Sequence, residues 1–310
     1  MSGSRLGALV CATIGTPDLR ESVAAYRRFL GYEIRHEGVL PEDVANTLAG
    51  PAATGAPLAV LGPASGGAPT IRLIETPLAP AFVPGRSFGW NALEIVVQDV
   101  NALQRELAGS PFEVVGEARD LDFARGALRA MQARGPGGEI LAFTQINRAV
   151  PGYDLPVAAS KVDRIFAAIQ GCPELDRTRE FFANKFFTET GPEFETAIVT
   201  VNDAFGLDRP TKHRIATIAL PGQGFIELDQ YPDEAVRRQP VPGYPMPGIA
   251  AVAFEVDSID NFQLYWLGEV LSRAEPPYLG RRHVTFYGGS GELIELIETG
   301  ANNVTPLPLG

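Results

Sequence analysis

The sequence repeats itself at about half its length, and this internal repeat restricts the fold more than any other feature. Residues 16–30 align with residues 172–186 at an offset of 156 (172 minus 16) in a chain of 310 residues. Both segments place an acidic residue after an early proline, and apolar residues then recur at spacings of three and four. This pattern predicts a helix in each half, preceded by the strand-like segments 8–14 and 164–170.

Strand-like segments repeat as well. Residues 70–77 match 225–232, residues 92–100 match 251–259, and residues 138–144 match 291–297. Each half divides again, because a strand, a helix and several strands occupy about 75 residues before the pattern recurs. We therefore predict an α+β protein of four βαβββ modules in two tandem pairs, in which each pair forms a half-open curved sheet around a cleft. The predicted modules are 6–80, 86–147, 160–235 and 247–299.

The joint between the two halves is rich in proline and glycine, which is typical of a linker. The predicted division is an N-terminal paired domain over residues 1–147, a linker over 148–160, a C-terminal paired domain over 161–300 and a tail over 301–310.

Charge and composition exclude some classes of function. The net charge of −11 disfavours binding to nucleic acid or to an anionic membrane surface. The N-terminal residues lack the pattern of a signal peptide, and no stretch of 18 apolar residues occurs. The two cysteines, Cys11 and Cys172, do not form a disulfide framework, so we expect a cytoplasmic protein.

Three segments resemble the vicinal-oxygen-chelate superfamily, which includes glyoxalases, bleomycin-resistance proteins and extradiol dioxygenases. They are the helix signature Asp18, Ser22, Tyr26, Leu30 and Gly31, the strand–helix joint 96–100, and the closing strand 289–296. The resemblance covers essentially the whole chain. It implies paired modules around a cleft and, where a divalent metal is present, ligands from the first and last strands of each module. It does not imply one reaction, because this fold hosts many activities.

The positions that the resemblance assigns to metal ligands hold few donors. In the first half they are Cys11, Arg72, Ala92 and Ala142, and in the second half Ala167, Glu227, Ala251 and Glu295. Arginine and alanine cannot ligate a metal, and one thiol is too few. We therefore expect no cofactor. The alternative is one divalent ion (Fe, Mn, Ni or Zn) in the C-terminal cleft, held by Glu227 and Glu295.

An extradiol dioxygenase would need two histidines and a glutamate at these positions, and only Glu295 is present. The segment 279–287 is nevertheless similar to the extradiol region that carries a catalytic histidine and tyrosine. It supplies His283 and Tyr287 as further catalytic candidates, against the alternative that His283 is a solvated residue at the start of a strand.

The two remaining glutamates suggest acid–base chemistry. Strand alternation puts Glu227 on one face with Phe225 and Asp229, and a carboxylate in an apolar stripe is costly unless it is paired, solvated or protonated. We predict that Glu227 and Glu295 face each other across the second cleft and act as acid and base. The alternative is that each is a relic at the opening of the cleft or is paired with an arginine.

Substrate-binding candidates are Arg72, Trp90 and Phe225. Arg72 could clamp a substrate carboxylate, although an ion pair with Glu75 or Glu94 explains it equally well. The aromatic side chains could line a pocket, although core packing is their ordinary role.

Three functions stay open at this level. The first is a metal-independent lyase or isomerase that acts on a small aromatic or carboxylate-bearing substrate. The second is a non-catalytic protein that binds and sequesters a small molecule, as in the bleomycin-resistance branch. The third is a divergent metal-dependent dioxygenase or glyoxalase. A small-molecule ligand is expected in each case, and a homodimer is left open.

Overall fold

The computed structural model describes residues 6–300, apart from the side chain of Phe123, so the predicted tail 301–310 lies outside the described residues. Module one comprises β1 (Leu9–Thr16), α1 (Leu19–Ala25), β2 (Glu33–Val39), α2 (Glu42–Thr47), β3 (Pro57–Gly62) and β4 (Thr70–Glu75). Module two comprises β5 (Gly89–Val97), α3 (Val100–Leu107), β6 (Glu113–Asp120), β7 (Leu128–Arg134) and β8 (Ile140–Ile146).

Module three comprises β9 (Val162–Cys172), α4 (Leu175–Phe186), β10 (Thr190–Ala197), α5 (Val199–Phe205), β11 (Lys212–Leu220) and β12 (Gly224–Gln230). Module four comprises β13 (Gly248–Val256), a 3₁₀ turn (Ile259–Asn261), β14 (Leu271–Ser272), β15 (Arg282–Tyr287) and β16 (Leu293–Glu298). The prediction of four repeated modules is confirmed, with a short 3₁₀ turn in place of the fourth helix.

The helices begin where the repeat predicts them. The side chain of Asp18 accepts a hydrogen bond from the backbone N–H of Glu21 at 2.8 Å and caps α1. Asp99 caps α3 in the same way, accepting from the N–H of Ala102 at 2.8 Å. Such caps satisfy backbone donors that have no partner inside the helix. The predicted helix at 16–30 ends with a π-helical turn (Tyr26–Leu30) and Gly31, whose φ of 72° favours glycine.

The strands form two eight-stranded curved sheets. Sheet one has the order β14-β15-β16-β13-β1-β4-β3-β2, and sheet two has the order β10-β11-β12-β9-β5-β8-β7-β6. In each module the first and last strands pair in parallel, and the first strands of two modules pair antiparallel at the centre of the sheet. Because the two first strands pair with each other, neither is left as an exposed edge of the sheet.

The composition of the sheets corrects the predicted division into halves. Sheet one joins modules one and four, and sheet two joins modules two and three. The segment 148–160 therefore connects two modules of the same sheet and does not separate two paired domains. The chain crosses between the sheets in the segments 76–88 and 231–247, where Ser87 and Val236 form a parallel bridge. Sequence periodicity cannot distinguish these pairings, since all four modules present a similar first strand.

The main apolar core packs α1, α3 and α4 against the strands and joins the two sheets. Trp90 of β5 lies at this junction, 5.9 Å from the ring of Phe254, and its Nε1–H donates to the carbonyl of Leu293 at 2.8 Å. Its side chain is 1% exposed. Within residues 6–300, no helix combines the length and apolar character needed to cross a membrane.

Candidate active site

The structure divides the eight predicted ligand positions between two clefts. Each cleft combines positions from both halves of the chain, whereas the sequence predicted one cleft for each half. We call the inner face of sheet one, which carries Thr13, Arg72 and Glu295, cleft one. We call the inner face of sheet two, which carries Glu94, Ala142 and Glu227, cleft two. The prediction that Glu227 and Glu295 face each other is wrong, because β12 belongs to sheet two and β16 to sheet one.

Cleft one is organised around the guanidinium of Arg72. Its Nε and Nη2 donate to the hydroxyl of Thr13 at 3.0 and 2.7 Å, and Nη2 also donates to Glu295 Oε2 at 3.0 Å. Nη1 donates to the hydroxyl of Tyr278, which in turn donates to Glu295 Oε1 at 2.8 Å. Arg72 is 2% exposed and Glu295 is 0% exposed. Arg72 is therefore bound by groups of the protein itself, which disfavours the predicted role as a clamp for a substrate carboxylate.

His283 also belongs to cleft one and is shielded there. Its ring stacks on that of Tyr278, with centroids 3.6 Å apart, and its Nδ1 lies 3.6 Å from Glu295 Oε1. Burial lowers the pKa of His283 to about 4, so the imidazole is neutral at physiological pH. The structure thus brings His283 and Glu295 together, but both are closed off from solvent. Tyr287 is 41% exposed at the end of β15.

Helix α2 fills the rest of cleft one. Its apolar residues Val44 and Ala45, with the following Leu48, pack into one buried cluster with Ala251, Leu293 and the ring of Tyr278. The hydroxyl of Thr285 donates to the carbonyl of Thr47 at the end of the helix. Cleft one is therefore filled by α2 and bonded internally.

Cleft two is open and holds a cavity of about 820 Å³, within the size range of small-molecule sites. All eight strands of sheet two contribute to its lining, and the edge of α5 contributes Val199. Polar and apolar side chains both face it. The lining includes Glu94, Gln132, Ala142, Tyr153, Phe166, Thr217, Phe225 and Glu227.

Carboxyl groups form the floor of cleft two. Glu94 of β5 is 9% exposed and accepts a hydrogen bond from the hydroxyl of Thr144 at 2.6 Å. Glu227 of β12 lies opposite Thr217 on β11 and Ile169 on β9. Asp229 follows two residues later on the same strand face and is 1% exposed.

Burial governs the protonation of these three groups. It raises the pKa of Glu94 to about 7, and it raises the pKa of Asp229 to about 7 with help from the charge of Glu94. The pKa of Glu227 is raised well above its usual value, first by burial and then by the charges of Asp229 and Glu94. Glu227 and Asp229 affect each other's protonation, so the two carboxyl groups titrate as a pair. Such groups can accept and donate protons near neutral pH.

Aromatic rings form one wall of the cavity. Phe225 packs edge-on against Phe166 at a centroid distance of 5.6 Å and against Tyr153 at 6.0 Å. Phe225, which the sequence suggests as a substrate-binding residue, thus lines the cavity. Trp90 does not, because its ring lies in the core between the sheets.

Sequence reasoning missed Glu94, Asp229 and Tyr153 as members of a site. Glu94 did carry a signal, since it is the one charged residue in the otherwise uncharged strand 89–97. A carboxylate in such a strand needs a partner or a cavity. Tyr153 comes from the segment between modules two and three, where proline and glycine predicted only a linker.

The donor sets do not fit the chelate site that the fold family implies. Cleft one offers Glu295, whose two oxygens already bind Arg72 and Tyr278. The ligand positions of cleft two are Ala92, Ala142, Ala167 and Glu227, without a histidine. Across residues 6–300, no group of three or more histidine, cysteine or acidic side chains is arranged to hold a metal ion. A catalytic chelate normally requires histidines together with carboxylates.

Comparison with known structures identifies the class of fold. No family model and no curated protein matches the sequence. The chain superposes on glyoxalase I from Zea mays with a TM-score of 0.61 at 14% identity, covering 94% of this chain and 92% of that one. It superposes on a proposed dioxygenase from Bacillus subtilis with a TM-score of 0.62 at 14% identity, covering 96% and 87% of the two chains. The resemblance to the vicinal-oxygen-chelate superfamily is therefore confirmed for the fold.

Proposed function

We propose that the protein binds a small, partly apolar organic molecule in cleft two and transfers a proton on it without a metal, as an isomerase or lyase does. One observation carries this proposal. The carboxyl groups of Glu94 and Glu227 line a cavity of about 820 Å³, and burial raises the pKa of both. General acid–base catalysis requires groups of this kind within reach of the substrate.

The two carboxyl groups suit different roles. Glu94 has a pKa of about 7, so a large fraction is ionised at neutral pH and can accept a proton. Its Oε1 is held by Thr144, which orients the carboxylate towards the cavity. The pKa of Glu227 is raised well above its usual value, first by burial and then by the charge of Asp229, so Glu227 is the acid. Glu295 and His283, the catalytic candidates of the other cleft, are sealed in cleft one and take no part in this scheme.

Proton transfer can be tested although the substrate is unidentified. A panel of small carbon acids is incubated with the protein in D₂O, and deuterium incorporation is followed by proton NMR. We expect Glu94→Gln and Glu227→Gln each to slow exchange of an active compound by at least about 100-fold, the usual contribution of a positioned acid or base. Glu37→Gln, an exposed glutamate on β2, is the matched control and should behave as the wild type.

Three results would count against the proposal. Full exchange rates in both cavity variants would remove the carboxyl groups from the reaction. Acceleration only after loading with Fe, Mn, Ni or Zn would favour a metal enzyme. Tight binding with no exchange or product after long incubation would favour sequestration, which the aromatic wall of Tyr153, Phe166 and Phe225 would equally serve. A cytoplasmic location and a homodimer remain predictions from the sequence.

A further inference from the structure

We infer that cleft two recognises an organic cation, a small molecule whose ammonium or guanidinium group binds between Glu94 and Glu227 while its apolar part packs on Phe225. This inference rests on the proposed function only for the choice of cleft two as the site. The two clefts are built from equivalent strands, and the contrast between their side chains supports it.

Cleft one contains a guanidinium that the chain itself supplies. Arg72 stands on the last strand of module one and donates to Thr13, Glu295 and Tyr278. Its Cζ lies 5.6 Å from the centre of the Tyr278 ring. Cleft one thus shows, within this molecule, how a planar cation is bound by a carboxylate, a hydroxyl and an aromatic ring.

Cleft two has the counterparts of these acceptors. Arg72 pairs with Thr13 across β4 and β1, and the equivalent pair across β8 and β5 is Ala142 with Glu94. Glu227 on the last strand of module three corresponds to Glu295 on the last strand of module four. A carboxylate thus replaces the hydroxyl of Thr13, and a second carboxylate matches Glu295.

Cleft two has no counterpart of the Arg72 guanidinium among the described residues. Ala142 stands where the arginine would be, and its small side chain lines the cavity. No arginine or lysine of residues 6–300 forms an ion pair with Glu94, Glu227 or Asp229. The two arginines that line the cavity lie towards solvent: Arg209 binds Asp203 at 3.0 Å, and Arg119 is exposed on the edge strand β6.

Two further observations favour a ligand over a purely structural cluster. The Oδ1 atom of Asp229 is buried and has no hydrogen-bond partner among the described residues, and Asp229 shares the strand face that carries Phe225 and Glu227 into the cavity. The ring of Phe225, flanked by Phe166 and Tyr153, then offers the aromatic surface that organic cations prefer. A bound cation lowers the pKa of a neighbouring buried carboxyl group, and the carboxylate that then forms pairs with it, so carboxyl groups without a counter-ion favour a positively charged ligand.

The inference can be tested by direct binding of four unreactive probes of similar shape: benzamidine, benzylamine, benzyl alcohol and benzoate. Titration calorimetry at pH 7.5 should give the two cations an affinity at least about tenfold above the alcohol, with benzoate weakest, since one charge-assisted contact is worth about this factor. Glu94→Gln and Glu227→Gln should each reduce binding of the cations by at least about tenfold and leave benzyl alcohol unchanged. Glu37→Gln, an exposed glutamate on β2 outside the cavity, is the control and should keep wild-type affinity.

Ala142→Arg is the decisive variant, because it would supply to cleft two the guanidinium that Arg72 supplies to cleft one. It should abolish binding of both cations. Ala142→Gln, which adds bulk without charge, should retain a preference of cation over alcohol, and circular dichroism verifies that both variants fold. If Ala142→Arg does not fold, the wild-type pH profile decides, since cation affinity should rise from pH 6 to pH 8 as the carboxyl groups ionise.

Equal or better binding of benzyl alcohol or benzoate by the wild type would overturn the inference, as would failure of all four probes to bind at millimolar concentration. Unchanged cation binding in Ala142→Arg would also overturn it. These results are separable from the proton-transfer proposal, because none of the probes reacts. A protein that prefers neutral ligands could still exchange protons through Glu94 and Glu227.

Discussion

Clefts one and two share an arrangement of strands, yet one is plugged and the other is open. The difference lies in the insertions between the second and third strands of modules one and three. In module one this insertion contains α2, which packs into cleft one with Val44, Ala45 and Leu48. In module three it contains α5, which packs instead on Tyr231 and Ala235 beside the crossing segments and leaves Val199 at the edge of the cavity. The position of one short helix therefore distinguishes the filled cleft from the one that holds a cavity.

The charges in the two clefts follow the same division. In cleft one, Glu295 is neutralised by Arg72 and bonded by Tyr278, so the buried charges are matched. In cleft two, Glu94, Glu227 and Asp229 have no basic partner among the described residues, and burial raises their pKa values. We interpret cleft one as a stabilising site and cleft two as a site that gives up stability for function. The following predictions test that contrast.

The largest effect is expected in cleft one. Replacing Arg72 with methionine leaves the buried carboxylate of Glu295 without its counter-charge, so the free energy of unfolding should fall by about 3–5 kcal/mol. Urea unfolding measures this loss. Arg125→Met, which removes an exposed ion pair with Asp122, is the control and should cost less than about 1 kcal/mol.

The double variant Arg72→Met/Glu295→Met sharpens this prediction. It should recover much of the lost stability, because two apolar side chains replace the ion pair without leaving a buried charge. A loss below about 1 kcal/mol in the single variant would show that cleft one does not depend on its internal cation.

The second effect is a pH dependence in cleft two. Burial raises the pKa of Glu94 from 4.5 to about 7 in the folded protein. The unfolded chain therefore releases this proton first, so folding stability falls as the pH rises from 4.5 to 7 and is constant above that range. A pKa shift of this size corresponds to about 3 kcal/mol of folding free energy. Glu94→Gln removes this pH dependence. Its free energy of unfolding, compared with that of the wild type, should therefore increase by about 3 kcal/mol between pH 4.5 and pH 7.5.

Urea unfolding at several pH values measures the difference between Glu94→Gln and the wild type. Glu139 and Glu292, which also have raised pKa values, contribute equally to both proteins and cancel in this difference. Glu227 and Asp229 do not cancel, because the charge of Glu94 helps to raise their pKa values, so its removal adds to the gain at the upper end of this pH range. Glu37→Gln should give a curve parallel to that of the wild type. A parallel curve for Glu94→Gln itself would mean that burial does not affect this carboxyl group.

The smallest effect compares the two inserted helices. Val44→Ala in α2 removes buried methyl groups from the plug of cleft one and should cost about 2 kcal/mol. Val199→Ala in α5 changes a half-buried residue at the edge of the cavity, where alanine also favours the helix, so the change should stay within about 0.5 kcal/mol. Thermal unfolding of both variants measures the difference. Equal losses would imply that α5 packs as tightly as α2.

Much of the fold could be predicted from local patterns. The Asp18 segment and its repeat at residue 174 marked two helices, and the matching strand ends located the modules, because strand and helix periods are properties of neighbouring residues. The site could not be derived in this way. Glu227 and Glu295 occupy equivalent places in modules three and four, so sequence symmetry suggested that they face each other. Which modules share a sheet depends on contacts between residues far apart in the chain, such as the pairing of β1 with β13.

The sequence by itself determined the four modules and the helix starts, since these depend only on residue type and spacing. The resemblance to a fold family then implied which positions would hold metal ligands, and none of them is a histidine. The tertiary structure decided that β1 pairs with β13, that α2 fills cleft one and that Arg72 neutralises Glu295. It also gathered Glu94, Glu227 and Tyr153 around one cavity, with Asp229 buried next to Glu227 on the same strand face. Burial and charge pairing are set by neighbours distant in sequence, so the chemistry of this protein depends on its tertiary packing.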